Sequence, residues 1–209
     1  MLKLKPPKHF KRNAFTLIEL LVVLAILAAI AAIGLPRIAS RNDEIRSTVR
    51  KLKVIGKELQ TQARLQNKTF RIVFEMVPDE PHRMWVESAS GQIIVDRELQ
   101  REFDEADESE REEMLDPKLA SFQPDTRVIK KPIQVPLPIY FKDVQVGSSE
   151  EVVSEGKAYV HFFPQGMIEE AAIHITDGRD INWTVTFNPL TGKGHIISSY
   201  VTLEDLRGR

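Results

Sequence analysis

From Phe15 to Leu35 the chain reads FTLIELLVVLAILAAIAAIGL, and only Thr16 and Glu19 place polar side chains in this apolar run. As an α-helix rising about 1.5 Å per residue, it would span roughly the 30 Å hydrocarbon core of a bilayer. A domain of this size cannot hide such a stretch, so the run is expected in lipid or against other helices, with the rest of the chain folding apart from it. Residues 1–14 carry Lys3, Lys5, Lys8, Lys11 and Arg12 and no acid. The positive-inside rule therefore places them in the cytoplasm and everything after Leu35 on the far side.

Glu19 is out of character with its surroundings. An ionised side chain at the centre of a spanning helix costs about 2.5 to 3.5 kcal/mol, and such residues mark function more often than packing. Ala14 followed by FTLIELLVVLAI closely resembles the leader of type IV pilins and type II secretion pseudopilins. The resemblance implies cleavage between Ala14 and Phe15 by a prepilin peptidase, methylation of the new Phe15 amino terminus, and Glu19 as the fifth mature residue and assembly site. Ala14 stands where that family usually has Gly.

Gly34 to Pro36 interrupt the apolar run, and Pro36, lacking an amide donor, is expected to kink or loosen the helix without necessarily ending it. Ile38, Ile45, Val49, Leu52, Ile55, Leu59 and Ala63 then recur at helical spacing among charged neighbours, predicting an amphipathic continuation over 36–66. Asn67 should stop it. Thr69 to Met76 and Arg83 to Ser88 read as paired strands across a Pro78–Pro81 turn, with Gln92 to Val95 as a short third strand.

The segment 96–113 holds ten acids and three arginines, and reads as a solvated helix or irregular excursion with Leu99, Phe103, Ala106 and Met114 turned inward. A calcium site at Asp104, Asp107 and Glu108 is the functional reading weighed there, but the spacing and Gly of an EF-hand loop are missing. Lys130 to Pro138 carries three prolines and suits an edge strand or extended crossing. Four further strands are expected at Ile139–Val146, Lys157–Phe163, Met167–Thr176 and Ile181–Asn188, and a last one at Gly194–Val201. The fold class is thus α+β: a long N-terminal transmembrane and amphipathic helix packed on an antiparallel β domain over 67–209, with an acidic insertion. The turns FFPQG (Phe162–Gly166) and PLTG (Pro189–Gly192) extend the resemblance to the H-type minor pseudopilin and its pilus relatives.

Chemistry is sparse in this sequence. Without Cys there is no disulfide or thiolate site. The histidines His9, His82, His161, His174 and His195 stand at no ligand spacing, and no nucleophile elbow, zinc-protease pattern or phosphate loop occurs. No catalytic residue, cofactor or metal is assigned, and the chain is not expected to be an enzyme. Losing residues 1–14 would remove five of 29 basic residues, leaving 24 against 30 acidic, a net charge of minus 6 that disfavours nucleic acid. The resemblance implies a pseudopilin of a type II secretion system in the inner membrane, with other pseudopilins, the prepilin peptidase and methyltransferase, and the inner-membrane secretion platform as partners. The alternative is a minor type IV pilin of a pilus or DNA-uptake machine, for which Arg207 and Arg209 near the chain end would be the basic residues.

Overall fold

The computed structural model describes residues 17–93, 97–106, 110, 122–147 and 152–208, with backbone alone at 31–41, 97 and 103–105. Ala14 and Phe15, on which the cleavage reading falls, lie outside the described residues. The chain divides into two units, residues 1–40 and 41–209.

The first unit is helical from Leu17 onward, and α1 runs Leu17–Gln66, passing Pro36 without ending. Every described side chain from Leu17 to Ile30 is exposed, the large apolar ones by 43 to 78%. Among the described residues no helix is long and apolar enough to cross a membrane. Side-chain description of the apolar run stops at Ile30, short of the roughly 20 residues that a span requires.

In the second unit, the predicted stripe on α1 is the helical wall of the core. Ile45, Val49, Leu52, Ile55, Leu59 and Ala63 are all buried, while the residues between them, such as Arg46, Arg50, Lys53 and Lys57, face solvent. Gly56 sits on the buried side because a Cβ there would come within 2.3 Å of the Phe187 ring. A helix interior pays about 1 kcal/mol for Gly over Ala, and here that permits close approach of helix to sheet. Asn67 ends the helix in left-handed conformation, φ 50°.

Two antiparallel five-stranded sheets, among the described residues, complete the unit. The first has β1 (Lys68–Met76) between β2 (Arg83–Ser90) and β7 (Gly156–Phe162), with two short strands, β3 (Gln123–Pro124) and β4 (Ile133–Gln134), both on the far edge of β2. The second runs β10 (Gly194–Ile197), β9 (Asn182–Phe187), β8 (Ala171–Thr176), β5 (Tyr140–Val146), β6 (Val152–Val153). Strand β7 lies between β5 and β8 in sequence but joins β1, so the chain changes sheets there and back. Phe70, Ile72, Phe74, Val160 and Phe162 of the first sheet meet Phe141, Val144, Ile173, Ile175, Val185 and Phe187 of the second in one core with the α1 stripe. Burying each such side chain contributes about 1.5 to 3 kcal/mol, so this core is the main stabilising term.

Three expectations need correction. Gln92 and Ile93 form no strand; Ile93 is buried beside Ala89 and Phe122, and β2 takes its outer partners from β3 and β4. Part of the acidic insertion is helical, α2 (Arg97–Glu105), but its most buried described side chain is Gln100 and not Leu99, because Gln100 accepts a hydrogen bond from Arg71. Ala106 is buried as expected; the side chains of Phe103 and Met114 lie outside the described residues. The last expected strand stops at Ile197, and the chain then forms α3 (Leu203–Arg207), opened by a capping box in which Thr202 and Asp205 satisfy each other's backbone amides.

Candidate functional site

The assembly residue suggested by the sequence, Glu19, lies in the first turn of α1 among exposed Leu17, Ile18, Leu20 and Leu21. A carboxylate there complements the positive end of the helix dipole. What this part of the chain can do chemically is present a charge within an apolar surface that seeks neighbours or lipid. Pro36 lies in the same helix, and its ring removes one donor from the ladder.

At the other end of α1, the two turns carrying the pilin-like resemblance close on one stretch of helix. Gln60 Nε2 donates to the Gly166 carbonyl at 2.7 Å. Gly166 has φ 87° with Arg64 Cδ 2.6 Å from where a Cβ would sit, and Gly192 has φ 67° with Gln60 against it. Ile168 N–H donates to the Pro189 carbonyl at 3.0 Å, tying one turn to the other. Both glycines are required, since a side chain would be strained by the backbone and blocked by the helix. These turns therefore lock sheet to helix, a structural role.

Three of the histidines, His82, His161 and His174, are buried. His161 is buried with Nδ1 2.8 Å from Glu169 Oε2. His174 is buried with Nδ1 2.6 Å from Asp143 Oδ1 and Nε2 2.9 Å from the Val201 carbonyl, and its ring stacks on Tyr200 at 3.9 Å. Burial together with the Asp143 carboxylate pushes the Tyr200 phenol up. Burial pushes the His82 imidazole down, beside the rings of Tyr140 and Phe141, and its Nδ1 has no partner among the described residues. Sequence reasoning missed Arg71, a buried cation on β1 that bonds Glu87 at 2.6 Å and is flanked by the rings of Phe122 at 4.0 Å and Tyr159 at 4.3 Å. Its position in the alternation of TFRIVFE, on the face away from Phe70 and Ile72, gave no sign that anything would cover it.

No group of three or more metal-ligating side chains gathers among the described residues. Of the three acids weighed for calcium, Asp107 and Glu108 lie outside those residues, as does the side chain of Asp104. Arg207 is bound to Glu170 at 2.5 Å and to the Gly147 carbonyl at 3.3 Å, while Arg209 lies outside the described residues.

Comparison with known proteins bears on the N-terminus. Neither the curated proteins nor the solved structures contain a significant match to this chain. Residues 9–35 match the prokaryotic N-terminal methylation motif, which contains Ala14, Phe15 and Glu19. That motif marks the chain as type IV pilin-like, carrying the leader of a prepilin.

Proposed function

We propose that the chain is a minor pseudopilin of a type II secretion system. A prepilin peptidase cleaves it between Ala14 and Phe15 and the new amino terminus is methylated. Phe15 to Leu35 spans the inner membrane once, with the domain in the periplasm. The subunit then enters a short filament on the inner-membrane secretion platform, its function being assembly and not catalysis. The observation that carries this is the methylation motif at 9–35, continued by a helix whose apolar side chains are exposed from Leu17 to Ile30. Exposed apolar surface on that scale calls for lipid or other subunits.

Glu19 is the residue that would set the register. Cleavage before Phe15 creates an α-amine with a reference pKa near 8, mostly protonated at neutral pH. In a low-dielectric setting, a carboxylate matched to the amine of a staggered neighbour is favoured over either charge alone. The stagger is then chosen by charge, while contacts along Leu20 to Ile33 supply the packing. A DNA-uptake pilin is the other member of this class to consider, but Arg207, one of its two candidate cations, is already engaged by Glu170.

Glu19→Val tests the reading. The variant should insert as well as wild type, since it is more apolar, yet lose crosslinking to the other filament subunits and lose export. Wild-type assembly and export in that variant would remove the proposed role. A mature chain whose mass does not correspond to a methylated Phe15 start would overturn the processing step.

A further inference from the structure

A groove at the edge of the first sheet belongs to none of the features above. Strand β2 is hydrogen-bonded along its outer edge at two separate places, to β3 through Glu87 and Ser88 and to β4 through Arg83 and Met84. Between them the chain from Asp125 to Pro132 arcs off the edge after Asp125 N–H bonds the Val86 carbonyl at 2.9 Å. The arc encloses a groove of about 390 Å³ lined by Trp85, Ile129 and Pro132, with Lys130 and Lys131 also on its wall. Its size falls within the range of ligand sites. Between the two attachments β2 contributes only Trp85 and Val86, and the Val86 carbonyl is already taken by Asp125, so the groove is bounded by side chains and the arc and not by an open strand edge.

The charge of the groove is decided by which ions are already matched. Three carboxylates line it, and each has its own cation: Glu75 pairs with Arg83, Glu87 with Arg71, and Asp125 with Arg127. Trp85 Nε1 donates to Glu87 Oε1 at 2.9 Å, which fixes the indole and uses its one donor, leaving the ring as an apolar surface. Lys130 and Lys131 are exposed and have no ion-pair partner among the described residues. Among the described residues the unmatched charge is therefore positive, next to an aromatic surface.

We propose that this groove binds an acidic peptide segment of a partner protein, with an apolar side chain against Trp85 and flanking carboxylates on Lys130 and Lys131. An acidic segment with one apolar side chain fits because the groove offers the Trp85 ring with the unmatched Lys130 and Lys131 on its wall. The proposal does not depend on which filament the chain serves.

Trp85 is itself the probe, since Trp183 is the chain's only other tryptophan. Full-length protein in detergent, carrying Trp183→Phe, is titrated with acetyl-Glu-Glu-Leu-Glu-Glu-amide while indole emission is followed. A saturable change is expected, weakened about tenfold or more by Lys130→Glu with Lys131→Glu and weakened by raising salt, as for exposed ion pairs. The peptide with Lys in place of Glu should give no change. If Trp183→Phe fails to fold, 5-fluorotryptophan in the wild-type chain reports the two indoles as separate fluorine resonances. The proposal is overturned if emission and resonance stay fixed, or if the charge-reversed variant binds equally well. It is also overturned if sodium glutamate at equal charge or phosphatidylglycerol vesicles reproduce the change, or if protein concentration alone does so, which would mean a second copy occupies the groove.

Discussion

The outer faces of the two sheets are covered in different ways. On the first sheet, Arg71 is held by Glu87 and Gln100 and sandwiched between Phe122 and Tyr159. On the second, His174 Nδ1 lies 2.6 Å from Asp143 Oδ1 and Nε2 2.9 Å from the Val201 carbonyl, Thr184 bonds both Ser199 and Val201, and the Leu203 amide donates to Gln145. The first cover is thus pinned by a guanidinium, which keeps its charge at any ordinary pH. The second is pinned by an imidazole with both ring nitrogens facing oxygen atoms. The lesson is that a buried polar face can be closed by either chemistry, provided every donor and acceptor is matched. The first closure relies on one buried charge and the second on a distributed set of bonds.

The sharpest way to break the comparison is Arg71→Met, which strands Glu87 with its cation gone. A loss of about 3 to 5 kcal/mol is expected from urea unfolding of the full chain in detergent, and Glu87→Gln added to it should restore much of that. Equal losses in single and double variants would show that packing, and not charge, holds the first cover.

His174→Phe should cost less, about 2 to 3 kcal/mol, because Asp143 keeps the Tyr200 hydroxyl at 3.2 Å as a donor. Hydrogen exchange should then quicken at Val201 and Leu203 and not at β1. Unchanged exchange at both amides would mean that the Thr184 and Gln145 bonds suffice.

Thr202→Ala removes the cap of α3 and should cost about 1 kcal/mol, felt only within 202–208. The smallest effect belongs to acid. The Arg127 side-chain hydrogen bond holds the Asp125 carboxyl at about 2, below its ordinary 3.8. Its contribution is therefore complete above pH 4 and fades as pH falls toward 2. Since Arg127 is half exposed, the loss should be slight. Asp125→Asn should flatten that part of the pH–stability curve and leave neutral stability nearly unchanged.

Much of this architecture was legible in advance because it rests on periodicity. The seven-residue stripe from Ile38 to Ala63 marked the helix face, and its six members with described side chains are buried. The alternations of TFRIVFEM and RMWVES marked a hairpin that pairs in register from Lys68 with Ser90 to Glu75 with Arg83. The leader was legible for a different reason, since its motif is continuous in sequence and matches as such. The capping box at Thr202 and Asp205 was also in plain view, and could have predicted α3. The Trp85 groove was not readable, because it forms where Asp125 to Pro132 leaves the edge of β2, a strand some 40 residues earlier in the chain.

By itself, then, the sequence determined the elements that depend on local order: the methylation motif, the apolar run, the amphipathic stripe, most of the strands, and the turns at Gly166 and Gly192. Only the tertiary structure decided that there are two sheets, that β7 joins β1, and that Arg71 and His174 are interior. Alternation tells which side chains share a face of a strand, but not whether that face meets water or a later part of the chain. That choice depends on contacts between residues far apart in sequence: the cost of burying Arg71 is offset only when Glu87 arrives at the right distance, and His174 is matched only when Asp143 and the Val201 carbonyl do.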